Sequence, residues 1–175
     1  AEHDVALEDT DRIHGRTALV RNVAAAVSLS NAVRSTLGPR GLDKMLVDEE
    51  GNVRVTNDGV TVLETARVEH PTANLLIASS SSQDRSARDG TTTTIILMAE
   101  MLQNALELVR SGIHPSIIIN GYRIANKRAL EEIKKISREA DNRNLKASVI
   151  KTSLQGKIDS MLAEHLTEFA LIAAE

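Results

Sequence analysis

Residues 88–94 read Arg-Asp-Gly-Thr-Thr-Thr-Thr, and this run holds the side chains best suited to bind a ligand. Apolar residues at helical spacing follow at residues 95–109, so a helix is predicted to begin within the threonines. Backbone N–H groups at a helix N-terminus attract anions, Gly90 lets a ligand approach the main chain, and Asp89 offers the oxygen ligand that Mg²⁺ prefers. The run therefore predicts a phosphate and magnesium site, although taken alone it fits an ordinary threonine N-cap slightly better.

A second polar segment, residues 37–44, reads Leu-Gly-Pro-Arg-Gly-Leu-Asp-Lys and contains two glycines and two cations. It does not match the GxxxxGK[ST] phosphate loop. It either wraps a phosphate or a nucleotide base, or simply connects a helix to a strand. The local pattern alone favours the connection.

Two further motifs place a charged side chain beside a glycine. Asn57-Asp58-Gly59 follows a short apolar run, so Asp58 either forms a turn or presents its carboxylate to a ligand at the strand end. These two interpretations have equal weight. Gly156-Lys157 places a lysine just after a glycine, where it either caps a helix C-terminus or reaches a terminal phosphate.

The elements that must position these groups are mostly helical. Apolar stripes and stop signals predict helices at residues 16–37, 60–67, 72–87, 95–109, 118–136, 145–157 and 160–174. Residues 45–47 and 53–56 predict a β-hairpin. The serines at 79–82 mark either a linker or a tightly packed helix, and the helix is preferred because no breaker precedes Gly90. The predicted fold is mainly α with a small β-hairpin, after a polar arm at residues 1–12.

Composition limits the class of protein. The chain has 175 residues, 42% of them hydrophobic, which is enough for a core; with one Phe, one Tyr and no Trp, that core must consist of aliphatic residues. The absence of cysteine excludes disulfides and thiolate metal sites. A net charge of -3 without a basic block argues against nucleic acid as a partner. No apolar run is long enough to span a membrane, and the acidic N-terminus lacks a secretory pattern, so we expect a soluble cytoplasmic protein.

Taken in order, several motifs closely resemble the group II chaperonins, the family of the archaeal thermosome and the eukaryotic cytosolic chaperonin. The motifs are Thr-Leu-Gly-Pro-Arg-Gly-Leu-Asp-Lys-Met-Leu-Val-Asp, Thr-Asn-Asp-Gly, Val-Glu-His-Pro, Asp-Gly-Thr-Thr-Thr, Gly-Ile-His-Pro-Ser, Asn-Gly-Tyr-Arg-Ile-Ala and Lys-Thr-Ser-Leu. The resemblance covers residues 11–175. It implies a multihelical fold like the chaperonin equatorial domain, with residues 1–143 as the N-terminal part of that ATP-binding domain and residues 144–175 as the start of the intermediate domain.

The resemblance also implies a site for ATP or ADP with Mg²⁺. It assigns the metal to Asp89 and makes Asp58 the catalytic carboxylate beside the phosphates. Gly156 and Lys157 match the place where a lysine senses the terminal phosphate. The other implied nucleotide-binding residues are Leu37, Gly38, Pro39, Asn57, Gly59, Gly90, Thr91, Thr92 and Thr93.

The function implied by the resemblance is ATP-dependent protein folding, in which ATP hydrolysis closes a ring around a client. The implied partners are other chaperonin subunits, in a homo- or hetero-oligomeric ring, and unfolded proteins; neither nucleic acid nor a membrane is expected. The matched motifs do not include the apical domain, the returning equatorial segment or the second catalytic aspartate of the family. We therefore expect these 175 residues alone to lack ATPase activity. The alternative is a truncated, non-hydrolysing subunit that acts as an interaction or assembly module.

One residue departs from the family pattern. The family has a glycine before the motif aspartate, where this chain has Arg88. An arginine would strain the main chain there if its φ angle is positive. Alternatively, it adds a cation beside the phosphates.

Overall fold

A computed structural model describes residues 14–48, 50–65 and 68–174. In these ranges the elements, in chain order, are α1 (Gly15–Arg34), β1 (Lys44–Val47), β2 (Val53–Thr56), α2 (Gly59–Thr65), α3 (Pro71–Ala87), α4 (Thr91–Arg110), α5 (Pro115–Ile136), α6 (Arg143–Leu154) and α7 (Ser160–Ala174). The prediction of a mainly α fold with a small hairpin is confirmed. The predicted polar arm at residues 1–12 lies outside the described residues.

The core lies where α4 packs against α1 and α3, with α2 closing one end. Small residues lie where α1, α3 and α4 contact one another: Ala26 of α1, Ala73 of α3 and Ala99 of α4 are at most 2% exposed. Such residues let helix axes approach closely, which suits a core without large aromatic side chains. Larger aliphatic residues fill the remaining space: Leu29, Val33, Val62, Leu63, Leu76 and Ile95.

The serine-rich segment belongs to helix α3, as preferred from the sequence, and is not a linker. Ser80 is 1% exposed, and its hydroxyl donates to the backbone carbonyl of Thr91 over 3.2 Å. A buried hydroxyl needs such a partner, because leaving it unsatisfied would cost about 1–3 kcal/mol. This hydrogen bond ties the middle of α3 to the first residue of α4.

Helix α1 ends at Arg34, earlier than the predicted end at Gly38-Pro39. Both the backbone N–H and the hydroxyl of Thr36 donate to the carbonyl of Val33, over 2.9 Å and 2.8 Å. These bonds turn the chain away from the helix axis. Leu37 was predicted to continue the apolar face of α1, but it is instead 48% exposed.

Strands β1 and β2 form the predicted antiparallel hairpin, in a register that pairs Val47 with Val53. Asp48 organises the connecting loop, because its carboxylate accepts the side-chain amide of Asn52 (2.8 Å) and the backbone N–H groups of Asn52 (2.8 Å) and Glu50 (3.0 Å). The loop geometry therefore depends on one ionised side chain.

Helix α5 carries the predicted amphipathic pattern, but most of its apolar face is uncovered in the described structure. Ile118 is buried, and the Tyr122 hydroxyl donates to the carbonyl of Met101 over 2.7 Å. Further along the same stripe, Ile133 and Ile136 are 55% and 74% exposed. The stripe therefore correctly predicted a helix, but its second half remains largely exposed.

Helices α6 and α7 pack against each other and are joined by an ion pair between Arg143 and Glu168. The side chain of Asn142 caps α6 by accepting the N–H of Leu145 over 2.9 Å. Helix α6 therefore begins before the predicted residue 145, and it ends at Leu154, before the predicted residue 157. The domain boundary predicted between residues 143 and 144 falls in the first turn of α6 and stays a prediction.

None of the helices in the described part of the chain combines the length and the hydropathy needed to cross a bilayer.

Candidate functional site

A cleft with a volume of ≈ 800 Å³ lies where four separate segments of the chain meet. These segments are the turn after α1, the start of α2, the α3–α4 junction and the end of α6. Every site residue expected from the sequence lines this one cleft: Leu37, Gly38, Pro39, Asn57, Asp58, Gly59, Asp89, Gly90, Thr91, Thr92, Thr93, Gly156 and Lys157.

The N-terminus of α4 presents unpaired backbone donors. Gly90 is its N-cap residue with φ 78°, a conformation that favours glycine, and no side chain caps the helix. The first helical bond runs from the N–H of Thr94 to the carbonyl of Gly90 over 2.9 Å. The N–H groups of the three preceding residues, Thr91 to Thr93, come before that bond and are therefore available to an anion.

The threonine hydroxyls do not cap the helix, contrary to the N-cap interpretation of the sequence. The Thr94 hydroxyl donates back to the Gly90 carbonyl over 2.8 Å. Thr92 is only 9% exposed and packs against α2, where a Cβ atom added to Gly59 would lie 2.2 Å from the Thr92 Oγ1 atom. Thr91 to Thr93 therefore offer their main-chain N–H groups to the cleft, while the Thr92 side chain packs α4 against α2.

Asp89 precedes these donors and is exposed. Its Oδ1 atom accepts the N–H of Gly90 over 2.7 Å, and its carbonyl accepts the side-chain amide of Gln83 over 3.1 Å. The main chain around Asp89 is thus held on both sides, and the carboxylate keeps free lone pairs. Within the described ranges, no three His, Cys, Asp or Glu side chains converge as a metal site. A magnesium ion at Asp89 would therefore need phosphate oxygens and water to complete its coordination, which is its usual arrangement.

Asp58 lies in the turn before α2 and also lines the cleft. Its Oδ2 atom accepts the N–H and the hydroxyl of Thr61 over 2.9 Å and 2.7 Å, so the carboxylate caps α2. Asp58 therefore caps a helix, and its role toward a ligand stays a prediction. Because these two donors hold one carboxylate oxygen, the orientation of Asp58 in the cleft is fixed by α2.

The loop after α6 closes the cleft against the turn after α1. Gly156 has φ +79°, and a Cβ atom built on it would lie 2.4 Å from the carbonyl oxygen of Pro39. Only a residue without a side chain permits this approach. The backbone N–H of Lys157 donates to the Leu154 carbonyl over 3.1 Å, while the residue also lines the cleft.

The sequence interpretation missed several residues that line the cleft. Three of them, Val149, Thr152 and Ser153, share one face of α6 because their spacing is i, i+3 and i+4, and this face leads to the loop that holds Gly156. That spacing was visible in the sequence and could have added them once Gly156 was assigned. The others, Thr36, Asp84 and Gln155, have no such signal.

Arg88 combines an unusual main-chain conformation with a position in the cleft. Its φ is 57° and its ψ is 18°, and no other non-glycine residue in the described ranges has a positive φ. Arg88 therefore has the positive φ at which an arginine strains the main chain. Its guanidinium lies 3.4 Å from the Oδ2 atom of Asp84, and its side chain is 80% exposed.

Comparison with known proteins adds an independent finding. The model of the TCP-1/cpn60 chaperonin family matches residues 29–175. A thermosome subunit of Methanocaldococcus jannaschii is 42% identical over 168 residues, which cover 95% of this chain and 31% of that protein. Thermosome subunit beta of Thermoplasma acidophilum is 42% identical over 170 residues (96% and 31%), and that of Archaeoglobus fulgidus is 44% identical over 170 residues (96% and 31%). The chain thus spans about a third of the length of these relatives.

Proposed function

The chain belongs to the TCP-1/cpn60 chaperonin family, as a group II chaperonin sequence, and from this premise we propose that the cleft binds ATP or ADP with Mg²⁺. One observation carries the proposal. Segments spread between Leu37 and Lys157 meet around one cleft, and the unpaired backbone donors of Thr91 to Thr93 lie there. Convergence from four separate segments is unexpected for a mere helix cap.

The residues of the cleft suit both parts of a nucleotide. A volume of ≈ 800 Å³ lies within the range of small-molecule sites. Leu37 and Val149 are 48% and 58% exposed and offer apolar surface to a base. At the α4 N-terminus, the N–H groups of residues 91–93 donate to phosphate oxygens.

The charged residues of the cleft have distinct proposed roles. Asp89 holds Mg²⁺, and the bound ion neutralises charge on the phosphates. Lys157 contacts the terminal phosphate as a point charge. Asp58, fixed by its cap on α2, orients the water that attacks this phosphate.

In an assembled ring, we propose that this nucleotide site serves chaperonin-mediated folding of client proteins, with hydrolysis driving ring closure. Neighbouring subunits and unfolded proteins are the corresponding partners. The second candidate function is an assembly module that binds other subunits without hydrolysis. The uncovered apolar face of α5, with Ile133 and Ile136 exposed by 55% and 74%, favours this module, because such faces mark interaction sites.

Thermal unfolding with and without Mg–ADP tests the nucleotide proposal. A ligand that binds only the native state raises the melting temperature by mass action. We expect a shift for the wild type, none for Asp89→Ala, and a full shift for the control Asp141→Ala, whose side chain lies outside the cleft. Equal shifts in all three proteins would contradict the role of Asp89. Absence of a shift in the wild type would contradict nucleotide binding by these residues.

A further inference from the structure

The left-handed conformation of Arg88 has no compensation within the described structure. This conformation costs a residue with a Cβ atom roughly 1–2 kcal/mol of conformational free energy, whereas a glycine would adopt it freely. The main-chain bond of Arg88, from its N–H to the Asp84 carbonyl over 2.8 Å, would form equally well with glycine. Any advantage of arginine over glycine at this position must therefore come from its side chain.

The contact of that side chain with Asp84 is too weak to explain the strain. The two groups lie 3.4 Å apart, with side-chain exposures of 80% for Arg88 and 34% for Asp84. Solvent-exposed pairs contribute about 0–1 kcal/mol. A guanidinium has five N–H donors, so the contact with Asp84 leaves most of them available. Strained residues of this kind cluster at ligand sites, where the bound state makes use of them.

The surroundings of Arg88 indicate the kind of ligand. It immediately precedes Asp89, and the unpaired amides of Thr91 to Thr93 follow two residues after that. The cleft is lined by three carboxylates, those of Asp58, Asp84 and Asp89, and by two cations, Arg88 and Lys157. A polyphosphate that enters this cleft meets excess negative charge unless a cation compensates. A planar guanidinium matches phosphate oxygens better than any other side chain.

We propose that Arg88 is a phosphate-binding residue that takes over part of the charge compensation otherwise supplied by Mg²⁺, so that the cleft retains nucleoside diphosphate without the metal. This inference rests on the proposed function. Before the ligand binds, the guanidinium lies beside Asp84, which also lines the cleft, and its remaining N–H donors are available to the phosphates. The strain of the main chain is the cost of placing this cation next to the α4 N-terminus.

Calorimetric titration of ADP, in excess Mg²⁺ and in EDTA, tests the proposal. In EDTA, we expect Arg88→Gly to bind ADP at least about 10-fold more weakly than the wild type. In excess Mg²⁺, the loss of affinity should be smaller, because the metal then compensates the phosphate charge. Arg88→Lys keeps the charge but not the planar fork, and should fall in between. Arg85→Ala removes an arginine of the same helix that does not line the cleft, and should bind as the wild type does.

Two further measurements separate the possible outcomes. Pyrophosphate in EDTA should show the same dependence on Arg88, because the contact is to phosphate and not to the base. Arg88→Gly should also melt at a higher temperature without ligand, because glycine relieves the strain. Equal or tighter binding of ADP by Arg88→Gly in EDTA would overturn the inference alone. Absence of ADP binding by every variant in both conditions would overturn the proposed function with it.

Discussion

At the scale of single residues, the cleft depends on contacts that tolerate no added atom. Gly59 begins α2 and faces the Oγ1 atom of Thr92, which would lie 2.2 Å from a Cβ atom at residue 59. Thr92 is nearly buried, so its side chain cannot swing into solvent. The first turn of α4, which presents the main-chain donors, can therefore lie this close to α2 only because residue 59 is a glycine.

Gly59→Ala should consequently disturb the site as well as the fold. Forcing an atom into a packed contact costs about 1–3 kcal/mol, and the displaced Thr92 should weaken Mg–ADP binding. Gly121→Ala is a suitable control, because a Cβ atom there meets nothing within 4 Å in the middle of α5. That control should stabilise the protein by about 0.4–1 kcal/mol. Chemical denaturation measures both changes, and equal stabilities for the two variants would refute the proposed contact.

At the scale of elements, the loop between α6 and α7 forms one wall of the cleft. Gly156→Ala would bring a methyl group within 2.4 Å of the Pro39 carbonyl oxygen and would strain a φ of +79°. We expect it to separate this loop from the turn after α1 and to weaken nucleotide binding at least about 10-fold, because Lys157 moves with it.

Gly112→Ala provides the matched control for that variant. Gly112 has φ +97° but meets nothing within 4 Å, and it does not line the cleft. It should therefore show the stability loss of a strained alanine without any loss of affinity. Calorimetric titration of Mg–ADP with both variants decides the matter. Equal affinities would mean that the Gly156–Pro39 contact does not shape the site.

The hairpin should respond to pH through Asp48. Hydrogen bonds from the Asn52 side-chain amide, and then from the Asn52 backbone N–H, lower the pKa of Asp48 below its ordinary value. The stabilisation is therefore complete above the ordinary aspartate pKa and is lost as the pH falls through the lowered value. Amide chemical shifts of residues 50–53 should follow this transition and lose it in Asp48→Asn. In Asp141→Asn, which removes a charge elsewhere, the transition should remain.

Local signals in the sequence predicted most of the elements, because caps and turns act over a few residues. The predicted bounds 72–87 and 160–174 agree within one residue with those of α3 and α7. The predicted end of α1 was wrong, because the apolar stripe continues to Leu37 in the sequence, whereas the hydrogen bonds of Thr36 already turn the chain away from the helix. The site residues came from the resemblance. Their close contacts, such as Gly156 on Pro39, could not be predicted, because they depend on tertiary packing.

At the scale of the whole molecule, the described surface includes an apolar stripe along α5. Ile133 and Ile136 are 55% and 74% exposed, and burial of each would contribute about 1.5–3 kcal/mol to association. We expect the isolated chain to self-associate. The double variant Ile133→Gln with Ile136→Gln should have a dissociation constant for this self-association at least about 10-fold higher. Lys134→Gln, a polar change in the same turn, should behave as the wild type does. Sedimentation measurements that find a monomeric wild type would contradict this expectation.

ATP turnover by these 175 residues should be negligible even where nucleotide binds. Hydrolysis needs a positioned water, and the matched motifs do not include the second catalytic aspartate that the resemblance implies for this step. The measurement is phosphate release in single-turnover conditions, with Asp58→Ala as the comparison. A monomer that hydrolyses ATP and loses this activity in Asp58→Ala would show instead that the described cleft is a complete catalytic site.

The contact between Gly156 and Pro39 also has a consequence for the order of folding. The two residues are far apart along the chain, whereas the helices of the core, α1 to α4, lie within its first 110 residues. Closing the longer loop costs more entropy, and a growing chain leaves the ribosome from its N-terminus. The core can therefore form while the α6–α7 loop is still being synthesised, and we expect the cleft to be completed last. Amide groups of residues 155–157 should accordingly acquire protection from exchange later than those of α4 during refolding, and Mg–ADP should slow their exchange most.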